Sequence, residues 1–386
     1  MPPTSPSRHT APGPRDRAWV EVRSAAIRSN LERVRAVVGG AARIIPMVKA
    51  DGYGLGVGRV VAALGPARPF GYGVATVGEG LELLRLGVRE PVMLYSPVLP
   101  AELRGAVRAG LVPAISDLPG LATLRRLGEE SDRAARIPFQ IEVDTGMGRA
   151  GFGLHQPGWW GEVRRARGRG LRLFGVFTHL HSADRADPDP ARRQIERFDR
   201  FVESAGGIPP DALLHCANSA GALRLGSRTA NAVRPGIYLY GAPVAPRGSA
   251  PADCPPPDPV ISVRARVVLA RDVPSGATLG YGATYRSGEP ERWATAAIGY
   301  GDGLPRVLGN RGWAIAGGER VPIVGRISMD TTVLRTGGDV GAGDVVTFVG
   351  RQGDAELPLA AVADLAKTIP YEILTGLSRR LPRITV

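Results

Sequence analysis

The chain has 386 residues, a formal net charge of +13, two cysteines and 34 prolines. At ~100–200 residues per domain, that length predicts two or three domains with ample chain for a core. Apolar residues make up 44% and charged residues 22%, which excludes a disordered or collagen-like chain. No apolar run approaches the ~20 residues of a membrane span. Cys216 and Cys254 form neither a disulfide framework nor a paired metal spacing. The polar, Pro-rich start, 1–17, has no apolar stretch to serve as a signal sequence and is expected to be a disordered leader. A cytoplasmic protein with no membrane partner and no metal is expected.

The positive charge is arginine, because Lys49 and Lys367 are the only lysines among 49 basic residues. The arginines are spread along the chain in short runs such as 164–169, with no recognition motif beside them. Solvated surface is therefore expected, and no nucleic-acid partner. Arginine cannot replace lysine as an amine nucleophile, so a lysine kept in such a chain draws attention.

In chain order, 18–22 reads as a short strand that joins the C-terminal β region, and 24–38 as an amphipathic helix. Apolar runs recur at 43–49, 71–77, 92–96, 112–116, 138–144, 171–179, 212–218 and 232–240. Helical stretches separate them, as at 79–86, 101–109, 118–127 and 191–204. Eight buried-type strands alternating with helices predict an α/β fold, a TIM-type (β/α)8 barrel. A doubly wound open sheet is the alternative, but no G-x-G-x-x-G opens its first helix. The barrel is expected over 18–243, a linker over 244–259, and a mostly β domain over 260–386. The linker assignment rests on seven prolines between 243 and 259. Beyond it, strands are expected at 260–269, 293–298, 320–324, 331–334, 345–349 and 383–386, with one helix at 359–367.

Chemistry in such barrels sits at the C-terminal ends of the strands. Lys49, Asp144 with Arg149 beyond it, His179, Asn218 with Ser219, and Arg234 fall at such positions. A lysine closing an apolar strand either snorkels out of the barrel mouth or loses its proton more easily through burial, which suits a nucleophile or proton acceptor. Ser219 taken alone reads as a helix N-cap. Yet Asn218–Gly221 and Arg234–Ile237 follow strands seven and eight, where barrels often bind phosphate. One special lysine and a phosphate corner together point to pyridoxal phosphate, held covalently at one end and by its phosphate at the other.

Five segments then carry a resemblance. They are Met47-Val48-Lys49-Ala50-Asp51-Gly52-Tyr53-Gly54, Val143-Asp144-Thr145-Gly146-Met147-Gly148-Arg149, Arg234-Pro235-Gly236-Ile237, Ile298-Gly299-Tyr300-Gly301-Asp302-Gly303 and Val324-Gly325-Arg326-Ile327-Ser328-Met329-Asp330. In order and spacing, from about Trp19 to the C-terminus, the chain resembles the alanine racemase family. The resemblance implies an amino-acid racemase that interconverts L- and D-alanine on pyridoxal phosphate and supplies D-alanine for peptidoglycan. It also implies a head-to-tail homodimer whose active sites take residues from both chains.

Residue by residue, Lys49 matches the lysine that binds the cofactor as an aldimine and acts as the base on the D-alanine side. Tyr281 matches the opposing base, donated by the partner. Tyr53, Ser219 with its neighbour Asn218, Gly236, Ile237 and Tyr371 match the phosphate corner. Arg234 matches the group at the pyridine nitrogen, with His179 beside it. Arg149 and Met329 match groups near the substrate carboxylate, Tyr300 and Arg306 the substrate entrance, and Asp330 a supporting position.

Two departures stand out. Many family members carry a carbamylated lysine seven residues before the Arg149 position; this chain has Glu142, a permanent but shorter anion expected to orient Arg149 directly or through a water. Ser328 stands where cysteine is common. Competing readings are a racemase of broader preference, such as for serine, since one hydroxyl is poorly discriminated without a dedicated clash, and a non-catalytic pyridoxal-phosphate carrier, which would need neither Tyr281 nor the β domain.

Overall fold

The computed structural model describes residues 13, 16–130, 136–167, 170–225, 230–244 and 254–386. Most of the expected leader, and 245–253 of the expected linker, lie outside the described residues.

Parallel strands buried on both faces need continuous apolar runs, and the apolar runs of the first half form such strands. They are Arg43–Ile44, Tyr72–Val74, Val92–Leu94, Ala114–Ile115, Ile137–Asp144, Leu171–Phe177, Leu213–His215 and Ala232–Val233. Parallel ladders join Tyr72–Val74 to Val92–Leu94, and run from Ala114–Ile115 through Ile137–Asp144 and Leu171–Phe177 to Leu213–His215. Single bridges from Met47 to Gly73 and from Met93 to Val112 link these pieces. The Asn231 N–H donates to the Leu214 carbonyl at 2.9 Å, and Ala232–Val233 pairs with Arg43–Ile44, so the ring closes.

Helices cover the ring by the expected periodicity. Ser24–Val38 buries Ile27, Leu31 and Val34 along one face, each worth ~1.5–3 kcal/mol of apolar burial. Val77–Arg85 starts on a capping box, in which Thr76 accepts from the Glu79 amide and Glu79 accepts from the Thr76 amide.

The strand Ala18–Val22 belongs to the other half of the molecule. It lies antiparallel to Ile261–Val273 and parallel to Arg383–Thr385, so both ends of the described chain meet in one sheet. That sheet continues through Glu291–Ala296, Thr332–Thr336, Glu319–Val324, Trp313–Ala316, Val345–Gln352 and Ala355–Leu357. Val345–Gln352 pairs with Trp313–Ala316 and also with Ile261–Val273, which closes the sheet on itself. The helix Pro370–Gly376 returns to the barrel mouth; a Cβ on Gly54 would stand 2.5 Å from the Leu374 carbonyl, so glycine is what admits this approach.

Two expected strands are shorter than their apolar runs. The run 43–49 forms a continuous ladder only at Arg43–Ile44; past Pro46, which has no N–H to give, it keeps the isolated Met47–Gly73 bridge. The run 232–240 pairs only at Ala232–Val233, then turns at Pro235 into the 3-10 helix Ile237–Tyr240. Lys49 therefore does not close a strand; it opens a turn. The strand Trp313–Ala316 and the helix Pro370–Gly376 escape sequence patterning, being short and interrupted by small residues.

Candidate active site

Lys49 is presented by a left-handed turn. Ala50, Asp51, Gly52 and Tyr53 have φ of 53°, 54°, 62° and 56°. Each non-glycine residue there costs roughly 1–2 kcal/mol, so tertiary contacts must hold the turn. The Gly52 amide donates to the Val48 carbonyl at 2.9 Å and the Gly54 amide to that of Ala50 at 2.8 Å. Asp51 accepts from the Val57 amide at 2.8 Å, and Glu79 accepts from the Ala50 amide at 2.7 Å. Tyr53 is stacked on Tyr240 with ring centroids 4.2 Å apart, and the Tyr240 hydroxyl donates to the Met47 carbonyl at 2.9 Å.

The amine enters a cavity of about 270 Å³ at the C-terminal mouth of the barrel. Of the residues singled out in the sequence, Lys49, Tyr53, Arg149, His179, Asn218, Ser219, Arg234, Gly236, Ile237 and Tyr371 line it. Burial lowers the Lys49 pKa, Arg149 and Arg234 lower it further, and Glu79 opposes them. At the far corner, Asn218 caps the helix Ser219–Arg224 by accepting from the Gly221 amide at 3.0 Å. This leaves Ser219 free of the capping role; its hydroxyl accepts from the Gly236 amide at 2.8 Å. A Cβ on Gly236 would collide with the Tyr53 hydroxyl, so only glycine lets the backbone close on that tyrosine. Tyr371 stands across from Tyr53 with centroids 5.9 Å apart, its pKa pushed up to about 12 by burial.

Arg234 is buried, and its environment defines its role. It donates to the Thr178 carbonyl at 2.8 Å, to the His215 carbonyl at 3.2 Å, and to the Nδ1 atoms of His215 and His179, the latter at 3.4 Å. Its guanidinium lies over the rings of Tyr95 and Phe177 at 5.3 and 5.1 Å. His215 faces the Gln140 Oε1 through Nε2 at 3.1 Å. That amide assignment makes Nε2 the protonated nitrogen and leaves Nδ1 to accept from Arg234. Burial and Arg234 hold His215 well below its ordinary pKa and bring His179 to about 3, so both rings are neutral.

Arg149 lines the cavity from a loop wound about Asp144, whose Oδ1 accepts from the Gly146 and Met147 amides at 2.8 Å each. Glu142 is buried, and its carboxylate accepts from Ser116 Oγ at 3.1 Å. Among the described residues no hydrogen bond or ion pair joins it to Arg149, so the expected direct contact is not made. Arg149 and Arg234 act on the carboxyl through their charge, while burial raises its pKa.

Tyr281, Tyr300, Arg306, Met329 and Asp330 lie outside this cavity, on the β domain. Tyr281 is 67% exposed and Met329 52% exposed. Arg380 ties the segments that carry Asp302 and Met329, pairing with Asp330 at 2.7 Å and Asp302 at 3.2 Å. Sequence reasoning missed Tyr95, His215, Gln140 and Glu79. Tyr95 and His215 stand at the C-terminal ends of the strands Val92–Leu94 and Leu213–His215, where strand-end position alone marks them.

The donor set fits pyridoxal phosphate: a lysine amine whose proton is loosened by burial, a hydroxyl-and-amide corner that only glycine permits, and a buried arginine in the same cavity. Barrel, lysine and β domain together define an enzyme class that holds such a cofactor on an amine. Residues 22–244 match the family described as alanine racemase, N-terminal domain, and residues 260–385 match alanine racemase, C-terminal domain. Alanine racemase of Symbiobacterium thermophilum is 37% identical over 371 residues, covering 95% of this chain and 96% of that relative. That of Desulfosudis oleivorans is 34% identical, with 95% and 96% covered. Among solved structures, alanine racemase from E. faecalis has a TM-score of 0.90 at 30% identity, covering 97% of this chain and 99% of that one. Alanine racemase from Bartonella henselae, with covalently bound pyridoxal phosphate, has a TM-score of 0.84 at 28% identity, with 96% and 99% covered. The chain belongs to the alanine racemase family.

Proposed function

We propose that this protein interconverts L-alanine and D-alanine, with pyridoxal phosphate on Lys49 and a proton-transfer group on each face of the substrate. The observation that carries this reading is Lys49, its pKa lowered, in one cavity with the Ser219, Gly236, Tyr53 and Tyr371 corner. When bound, the cofactor delocalises the electron pair left at the α-carbon. Lys49 Nζ then exchanges the α-proton on one side, and burial beside two arginines favours its proton-accepting form. Arg234, a cation with no proton to give up, would meet the cofactor's ring nitrogen without protonating it. Arg149 would hold the substrate carboxylate, aided by the field of Glu142.

The opposite face needs a second group. The cavity's own tyrosines are poor acceptors, because burial raises the pKa of Tyr53, Tyr95 and Tyr371. Tyr281 is exposed on the β domain, with Met329 and Tyr300 exposed as well. This supports a homodimer in which Tyr281 of one protomer completes the other's site. Among the described residues no helix is long and apolar enough to cross a membrane; we place the protein in the cytoplasm, supplying D-alanine for peptidoglycan. The test is proton NMR of the holoenzyme with L-alanine in deuterium oxide. Loss of the α-proton signal with D-alanine accumulating is expected, and retention of every α-proton despite bound cofactor would refute the reading.

A further inference from the structure

Glu79 spends its carboxylate on the lysine turn. Oε1 accepts from the Ala50 amide at 2.7 Å, while Oε2 accepts from the Ala75 and Thr76 amides at 2.8 and 3.1 Å. In return, the Glu79 amide donates to Thr76 Oγ1 at 3.2 Å. A capping glutamate ordinarily serves only its own helix. Here one oxygen serves the helix and the other crosses to the residue that follows Lys49. Ala50 is the first left-handed residue of the turn, with φ 53° and ψ 51°, and its amide donates to the Glu79 carboxylate.

The charge matters as well as the bond. Lys49 is faced by Arg149 from the loop after Ile137–Asp144, by Arg234 from the end of Ala232–Val233, and by neutral His179 beyond Leu171–Phe177. Tyr53 on its own turn, Tyr95 after Val92–Leu94 and Tyr371 on the helix Pro370–Gly376 complete the titratable lining. Glu79 is the acid whose field acts on the lysine against these cations.

We infer that Glu79 is a positioning residue for Lys49: its bond to the Ala50 amide holds the turn that aims the amine, and its negative charge offsets Arg149 and Arg234. The inference rests on the reading that Lys49 carries the cofactor and exchanges the proton. It makes two effects separable. Shortening the side chain in E79D keeps the charge but withdraws it from the Ala50 amide. E79Q removes the charge and keeps one acceptor oxygen, which retains either the Ala50 bond or the Ala75 and Thr76 bonds of the helix cap. T76A weakens the same helix cap and leaves the carboxylate charged.

The experiment uses the holoenzyme of each variant. In the D-to-L direction Lys49 must be unprotonated to accept the α-proton, so losing the negative charge lowers its pKa and moves the acidic limb of the kcat–pH profile to lower pH. That shift is expected in E79Q and absent in E79D and T76A. The dissociation constant for pyridoxal phosphate is expected to rise about tenfold in E79D, as for the loss of one charge-assisted hydrogen bond. E79Q and E79D that keep both the wild-type pH profile and, within twofold, its cofactor affinity would overturn the inference. So would a T76A profile that shifts as E79Q does. Borohydride reduction and peptide mapping of the wild type separate the two levels. A pyridoxyl group on Lys49 beside an unchanged E79Q refutes Glu79's role alone, whereas a group elsewhere refutes the reading of the site as well.

Discussion

Gly236→Ala tests the construction of the phosphate corner. The added methyl would collide with the Tyr53 hydroxyl and stand 3.2 Å from Tyr53 Cζ and 3.5 Å from Met47 Cβ. Tyr53 has little room to retreat, since its ring is 5% exposed and stacked 4.2 Å from Tyr240, which is itself tied to the Met47 carbonyl. Overpacking of this kind costs about 1–3 kcal/mol. If the cost falls on the closed corner, cofactor affinity drops by about five- to 140-fold. The assay is equilibrium binding of pyridoxal phosphate to the reconstituted variant, with calorimetry of the holoenzyme to show that the fold persists. Adding Y53F removes the oxygen that the methyl strikes, so G236A/Y53F should bind better than the two single losses combined predict. Wild-type affinity in G236A, or strict additivity in the double variant, would refute the steric argument.

Three further outcomes follow. His179, held near pH 3 in the fold against 6.5 for a free ring, is neutral when folded and protonated when unfolded between those values. Its contribution to stability is therefore complete above pH 6.5 and lost as pH falls toward 3, at up to ~1.4 kcal/mol per pH unit; denaturant unfolding of wild type and H179F between pH 7 and 4 reads this, the variant showing the shallower slope. His215→Phe leaves the buried Arg234 without its ring partner and should destabilise the protein by ~1–3 kcal/mol, measured as a fall in the urea midpoint with little change in m. Because the Glu142 carboxyl needs no modification by carbon dioxide, wild-type activity should be equal in bicarbonate-free and bicarbonate-supplemented buffer, whereas E142Q should raise KM for alanine severalfold with a smaller effect on kcat.

The barrel was legible because its strands are buried on both faces and so write themselves as continuous apolar runs, from Tyr72–Val74 to Ala232–Val233. Strand ends were not, since hydropathy continues through Met47 and Val48 although the regular ladder stops at Ile44 and only an isolated bridge at Met47 follows. The Lys49 motif was visible in its glycines, but the handedness of its turn was not. Glu79 and the Val57 amide help hold Ala50 and Asp51 at positive φ, and those partners come from other elements. The network of Arg234, His215 and Gln140 joins residues from separate barrel strands. No periodicity records it, and only closure of the ring assembles it. The corner at Ser219 and Gly236 was legible by position because barrels present those two loops side by side, while its tight fit against Tyr53 required coordinates.

The most direct test of the shared two-base site is subunit complementation. K49A and Y281F chains are each expected to be nearly inactive as homodimers. When the chains are mixed and exchanged, a heterodimer would join Lys49 of the Y281F chain to Tyr281 of the K49A chain in one intact site and leave the other doubly altered. With random pairing, activity should recover to about a quarter of wild type. Heterodimers demonstrated by mass, yet no more active than the two parent variants, would contradict a site built from both subunits.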